Sequence, residues 1–208
     1  MGRPEAVVLV GATGSGKSPL GDCLERQGLW GRECVHFDFG AQLRAAAGEG
    51  RSDVLSADEL AFVRRVLDEG LLLEDEHFPI ARALLGQFIG ERVPGERSGS
   101  PLLILNGLPR HVGQARAMEG LVEVVAVVYL RCGAGVAEER IRSNTGGDRS
   151  GREDDGAAAI AAKQVLFERR TRPLVDYYRA RGARVIEVQV DADTTPGDVR
   201  RVVSQAEV

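Results

Sequence analysis

Five runs of apolar residues punctuate the chain, and the segments between them carry helical spacing. Val7-Val8-Leu9-Val10 predicts a buried strand, rich in β-branched residues. Cys34-Val35-His36-Phe37 predicts a short second strand and Leu102-Leu103-Ile104-Leu105 a third. Val124 to Leu130 is the strongest strand signal, and its unbroken apolar run suits the centre of a parallel sheet covered on both faces. Arg184 to Val190 is the last. Helices are predicted at Leu20–Gln27, ended by Gly28, and on the face carrying Leu43, Ala46 and Ala47. Ser56-x-x-Glu59 is a capping box opening a helix through Leu67, and Asp75 to Ile89 follows with Phe78, Ala81, Leu85 and Phe88 on one stripe. Further helices are expected at Gln114–Gly120, at Val136–Arg142, at Ala157–Arg181 with a kink at Pro173, and after Thr195-Pro196. No strand is predicted between about Gly40 and Gly90, and Asn144 to Gly156 reads as a mobile loop. Strands alternating with helices imply a doubly wound parallel α/β sheet, whose ligands bind beyond the carboxyl ends of the strands.

The first strand runs into Gly11-Ala12-Thr13-Gly14-Ser15-Gly16-Lys17-Ser18, a phosphate loop of the form G-x-x-x-x-G-K-[ST]. Its glycines let the backbone N–H groups curl round a phosphate, and the following helix adds the positive end of its dipole. Lys17 can reach the terminal phosphates of a nucleotide, and Ser18 can offer its hydroxyl to Mg2+. The order of glycines, followed by a lysine, excludes a dinucleotide fingerprint. A chance turn is a poor account, because strand and helix stand on the two sides the motif requires.

Composition narrows the classes. With 208 residues, 43% hydrophobic and 28% charged, the chain suits one soluble domain rather than disorder. A net charge of −4 gives no reason to expect nucleic acid or an anionic membrane as partner. Cys23, Cys34 and Cys132 are scattered, with no C-x-x-C pair, so they read as small core residues in a reducing cytoplasm. No apolar run is long enough for a membrane span.

Three separated motifs resemble those of adenylate kinases and their nucleoside monophosphate kinase relatives: the phosphate loop, Asn106-Gly107-Leu108-Pro109-Arg110, and Gly151-Arg152-x-Asp154-Asp155. The resemblance implies a P-loop NTPase fold. Such a fold has a five-stranded parallel core (1–39, 79–140 and 156–208), an acceptor-clamping insert (40–78) and a short, zinc-free lid (141–155). The family segment His-Ile-Ser-Thr-Gly-Asp-x-Leu-Arg is similar to His36-Phe37-Asp38-Phe39-Gly40-Ala41-Gln42-Leu43-Arg44, which implies that Arg44 grips the acceptor monophosphate beside Gly40. Phe39 stands where the family has a threonine near the acceptor base, exchanging a hydroxyl for an aromatic plane. Arg110, with Gly107, matches a second phosphate-gripping arginine, and Gln114 the glutamine that reads the adenine edge. Asn106 replaces the acid that organises the water shell of Mg2+, and can still bind a metal-bound water without charge. In the lid, Arg140 and Arg152 match family arginines, while Asn144 and Lys163 stand where two others are expected.

The resemblance implies reversible phosphoryl transfer from MgATP to a nucleoside monophosphate, foremost AMP, by a cytoplasmic monomer. Residues 11–18 and Arg140 hold ATP. Phe39, Gly40, Arg44, Gly107, Arg110, Gln114, Arg152 and Lys163 hold the acceptor, and Ser18 and Asn106 (through water) organise the metal. Lys17, Arg110, Arg140, Arg152 and Lys163 surround the transferring group. Two alternatives stay open: a kinase for CMP, UMP or a deoxynucleotide, and a nucleotide-binding module with little transfer.

Overall fold

The structure is a computed structural model, and it describes residues 2–49, 52–69, 71, 73–93, 100–145, 147 and 157–206. Five parallel strands form the sheet: β1 (Glu5–Gly11), β2 (Cys34–Asp38), β3 (Leu102–Asn106), β4 (Glu123–Cys132) and β5 (Arg184–Val190). Their order is β2-β3-β1-β4-β5. The centre is therefore β1, flanked by β3 and β4, and not the longer β4 that the apolar run suggested. The ten residues of β4 overrun their neighbours, so both of its ends emerge from the core.

The helices are α1 (Lys17–Gln27), α2 (Phe39–Glu49), α3 (Ala57–Asp68), α4 (Phe78–Arg92), α5 (Val112–Met118), α6 (Ala134–Arg142), α7 (Ala157–Leu166), α8 (Pro173–Ala180) and α9 (Pro196–Gln205). None of the described helices is long and apolar enough to cross a membrane. Side chains of a strand alternate between faces, and β1 shows the consequence. Val7 and Leu9 join Leu20 and Leu24 of α1 and Val199 and Val203 of α9 in one core. Ala6, Val8 and Val10 face the other core, with Leu84 and Leu85 of α4, Ala115 of α5 and Leu174 of α8. Both layers hold the phosphate loop at the carboxyl edge of the sheet.

Local signals set several boundaries. Ser56 and Glu59 close the expected capping box of α3, and Thr195 and Asp198 form another at α9. The segment from Asp75 begins with a single 3-10 turn before α4. The long helix predicted over Ala157–Arg181 is instead two helices joined by a π turn at Phe167–Thr171. Pro173 has no N–H to offer, and the wider turn is closed from Arg172 N–H to the Phe167 carbonyl at 2.9 Å. Cys23 and Cys34 are buried as expected, but Cys132, at the emerging end of β4, is only half-buried.

Close packing between α1 and β2 makes one position sensitive. His36 is buried and bonded through Nδ1 to Asp22 at 2.9 Å, so its ring cannot swing away. A Cβ on Gly21 would lie 2.2 Å from His36 Nε2. Alanine gains about 1 kcal/mol of helix propensity over glycine, whereas overpacking costs about 1–3 kcal/mol. Gly21→Ala is expected to lower the urea midpoint, and an unchanged or raised midpoint would contradict this packing.

Candidate active site

The phosphate loop leaves β1 at Gly11 and turns back through a Ser15 N–H to Ala12 carbonyl bond of 3.2 Å. Gly14 and Gly16 have φ of 86° and 91°, a backbone region that favours glycine. Any Cβ at Gly14 would also meet the Ala137 carbonyl at 2.7 Å. Lys17 Nζ donates to the Gly11 and Ala12 carbonyls at 2.6 and 2.8 Å, so its ammonium lies at the loop before any phosphate arrives.

Arg140, on α6, is 5% exposed. Its Nε donates to the Gly14 carbonyl at 3.2 Å. Its Nη1 donates to the carbonyls of Asp191, Ala192 and Thr194 at 2.7, 3.2 and 2.9 Å. The side chain thus ties the loop after β5 to the phosphate loop, a bracing role that the resemblance did not suggest. Its Nη2 lies 3.2 Å from where a Gly16 Cβ would stand, so positive charge still faces the loop.

At the neighbouring strand ends, Asp38 and Asn106 are paired in register. Asp38 Oδ2 accepts from Ser18 Oγ and from Asn106 Nδ2, both at 2.7 Å, and Asn106 Nδ2 also donates to Ser18 Oγ at 3.0 Å. Asp38 Oδ1 accepts from the Ala41 N–H at 2.9 Å. Burial pushes the carboxyl up, but the bonds from Ser18 and Ala41 and the charges of His36 and Arg44 outweigh it and hold it below the usual carboxylate range. Asp38 lines the cleft although the resemblance gave it no part in the site. Its only sequence signal is an acid one strand away from a motif that lacks its own.

Facing the phosphate loop, Arg110 is half-buried, with Nε donating to the Gly107 carbonyl at 3.0 Å and the guanidinium 6.0 Å from the Phe39 ring centre. Burial pushes its pKa down and the charge of Asp38 opposes this; an arginine nevertheless stays protonated. Its backbone is clamped from both sides. Gln114 Oε1 accepts from the Arg110 N–H at 2.8 Å, and Thr171 Oγ1 donates to the Arg110 carbonyl at 2.8 Å. The π turn thus brings Thr171 to Arg110.

Two expected acceptor residues are not at the cleft surface. Phe39 has no exposed surface: it stacks on Phe37 in the core and supports Arg110 from behind rather than presenting a plane to a base. Gln114 is 1% exposed and spends its Nε2 on the Leu73 carbonyl at 3.1 Å, so both ends of the amide are engaged within the protein. Ala12 and Ser15 are likewise buried. Arg152, Asp154 and Asp155 lie outside the described residues, as does most of the expected lid.

The remaining residues converge. One cleft of about 330 Å3 is lined by Gly11, Thr13, Gly14, Gly16, Lys17 and Ser18 on one wall. Gly40, Arg44, Asn106, Gly107, Arg110, Arg140 and Lys163 line the rest. Leu43, Val66, Leu71 and Leu73, from the segment between β2 and α4, give its far end an apolar lining. Five cations therefore meet over a ready-made anion site, an arrangement that binds polyphosphate. The oxygen donors Ser18 and Asp38, side by side, fit a hard cation such as Mg2+.

No protein-family model matches the chain. The chain is 31% identical over 183 residues to an adenylate kinase of Stenotrophomonas maltophilia (strain R551-3), covering 85% of this chain and 86% of that one. It is 29% identical over 206 residues to an adenylate kinase of Parvibaculum lavamentivorans (strain DS-1 / DSM 13023 / NCIMB 13966), covering 94% and 90%. Among solved structures, a gluconokinase from Sinorhizobium meliloti 1021 superposes with a TM-score of 0.54 at 17% identity, over 98% of this chain and 92% of that one, a likeness of fold alone. With its phosphate loop, its convergent cations and this extent of identity, the chain belongs to the adenylate kinase family.

Proposed function

We propose that this chain transfers the γ-phosphoryl group of MgATP to the phosphate of a nucleoside monophosphate, with AMP as the first acceptor. The observation that carries the reading is the convergence of Lys17, Arg44, Arg110, Arg140 and Lys163 on one cleft beside the phosphate loop. Loop amides and Lys17 hold the donor phosphates. Arg44 and Arg110 hold the acceptor phosphate, and forked guanidinium contacts set it in line with the donor. Arg140 braces the loop and, with Lys163, adds charge where the transferring group passes. Ser18, with Asp38 beside it, would hold the Mg2+ of MgATP, which would supply charge that offsets the phosphates. The segment 40–78 acts as the acceptor clamp, and 141–155, with Arg152, as the lid that excludes water.

The acceptor base meets an apolar wall, and Gln114, the amide that the resemblance assigns to its edge, is buried and engaged by Arg110 and Leu73. Reading of the base by Gln114 would therefore require it to exchange these bonds for bonds to the base. An acceptor panel of AMP, dAMP, GMP, CMP and UMP with MgATP, followed by chromatography of the diphosphates, tests the reading. AMP is expected to be the fastest acceptor. Preference for a pyrimidine would move the assignment within the class, and no transfer to any acceptor would reject it.

A further inference from the structure

The resemblance assigns the metal to Ser18 and, through water and without charge, to Asn106, yet the geometry of Asn106 leaves the negative charge to another residue. Its Nδ2 is the atom turned toward Ser18 and Asp38. Asp38 as a carboxylate can only accept, so the amide must present N–H there and not its oxygen. A donor N–H repels a cation. Among the described residues that line the cleft, Asp38 is the one acid, facing five cationic side chains. It receives the Ser18 hydroxyl proton at 2.7 Å; one lone pair of the Ser18 oxygen accepts from Asn106 Nδ2 at 3.0 Å, and the other is left for a cation. Strand register fixes the arrangement, since Asp38 and Asn106 are partners at the carboxyl ends of β2 and β3, and Asn106 is also paired with Leu9 of the strand that enters the phosphate loop.

We propose that Asp38 supplies the negative charge that holds nucleotide-bound Mg2+ beside Ser18, and that Asn106 serves as the clamp positioning both. The proposal rests on the reading of the cleft as an ATP site. It concerns where the charge resides, on β2 rather than β3, and so predicts that the two side chains can trade identities.

The test is binding rather than turnover. Dissociation constants for ATP are measured calorimetrically with excess Mg2+ and with EDTA, for the wild type, Asp38→Asn, and the double variant Asp38→Asn with Asn106→Asp. Circular dichroism and thermal melting confirm that each variant is folded. For the wild type, Mg2+ is expected to tighten ATP binding. Asp38→Asn is expected to reduce that tightening by roughly tenfold to a hundredfold, the range seen when groups that support a metal are lost. The double variant, which restores a carboxylate across the same hydrogen bond, is expected to recover it to within about threefold. An unchanged Mg2+ effect in Asp38→Asn would overturn the inference. A double variant as weak as Asp38→Asn would also overturn it, by showing that Asp38 acts through Ser18 packing and not through charge. A wild type that binds ATP equally with and without Mg2+ would reject the inference alone, whereas one that binds no ATP would reject the kinase reading beneath it.

Discussion

Lys17→Ala is expected to lower turnover by about a hundredfold to a thousandfold, the range for losing one preorganised group that stabilises transition-state charge. The lysine stands in the first turn of α1, and its ammonium already lies 2.6 Å from the Gly11 carbonyl. No large reorganisation is needed for it to meet the terminal phosphates, so its charge acts on the transferring group at little conformational cost. Alanine leaves the loop carbonyls facing a cleft that water can enter, so the melting temperature is expected to move little. Steady-state assay of the purified, folded variant checks this. Near-normal turnover would contradict the role given to the loop.

Arg110→Ala is expected to have an effect of similar size, about a hundredfold or more in kcat/KM, with the acceptor KM raised. The guanidinium is half-buried, braced by the Gly107 carbonyl and the Phe39 ring, and its backbone is pinned by Gln114 and Thr171. That bracing fixes its direction before the acceptor binds. Lysine keeps the charge but loses both the fork and the bracing geometry, so Arg110→Lys is expected to recover only a small part of the lost activity. Full rescue by lysine would show that charge alone matters at this position. Initial rates with varied AMP at saturating MgATP separate the two outcomes.

The features legible in the sequence are those whose chemistry is contiguous. The phosphate loop needs strand, glycines, lysine and serine in unbroken order, and the structure keeps that order from Glu5–Gly11 to Lys17–Gln27. The capping box of α3 is equally local. What escaped reading depends on partners far along the chain. Gln114 is engaged by the Leu73 carbonyl, 41 residues away, and no local pattern shows that its amide is spoken for. Arg140 matches a charged motif, but the carbonyls that hold it lie 51 to 54 residues on. Asp38 gains its setting only when β2 and β3 align, a register that neither strand specifies alone. Phe39 looked like a ligand plane because an aromatic in a motif invites that reading, whereas the Phe37 ring that stacks on it and the Arg110 guanidinium beside it come from β2 and from the segment after β3.

The central claim is transfer between two nucleotides rather than nucleotide binding or hydrolysis. ATP labelled in its γ-phosphoryl group, incubated with Mg2+, AMP and the purified chain, tests it most directly. The account predicts label in the β-position of newly formed ADP, two ADP for each AMP consumed, and loss of both with Lys17→Ala. Label found only in inorganic phosphate, or remaining in bound ATP, would contradict it.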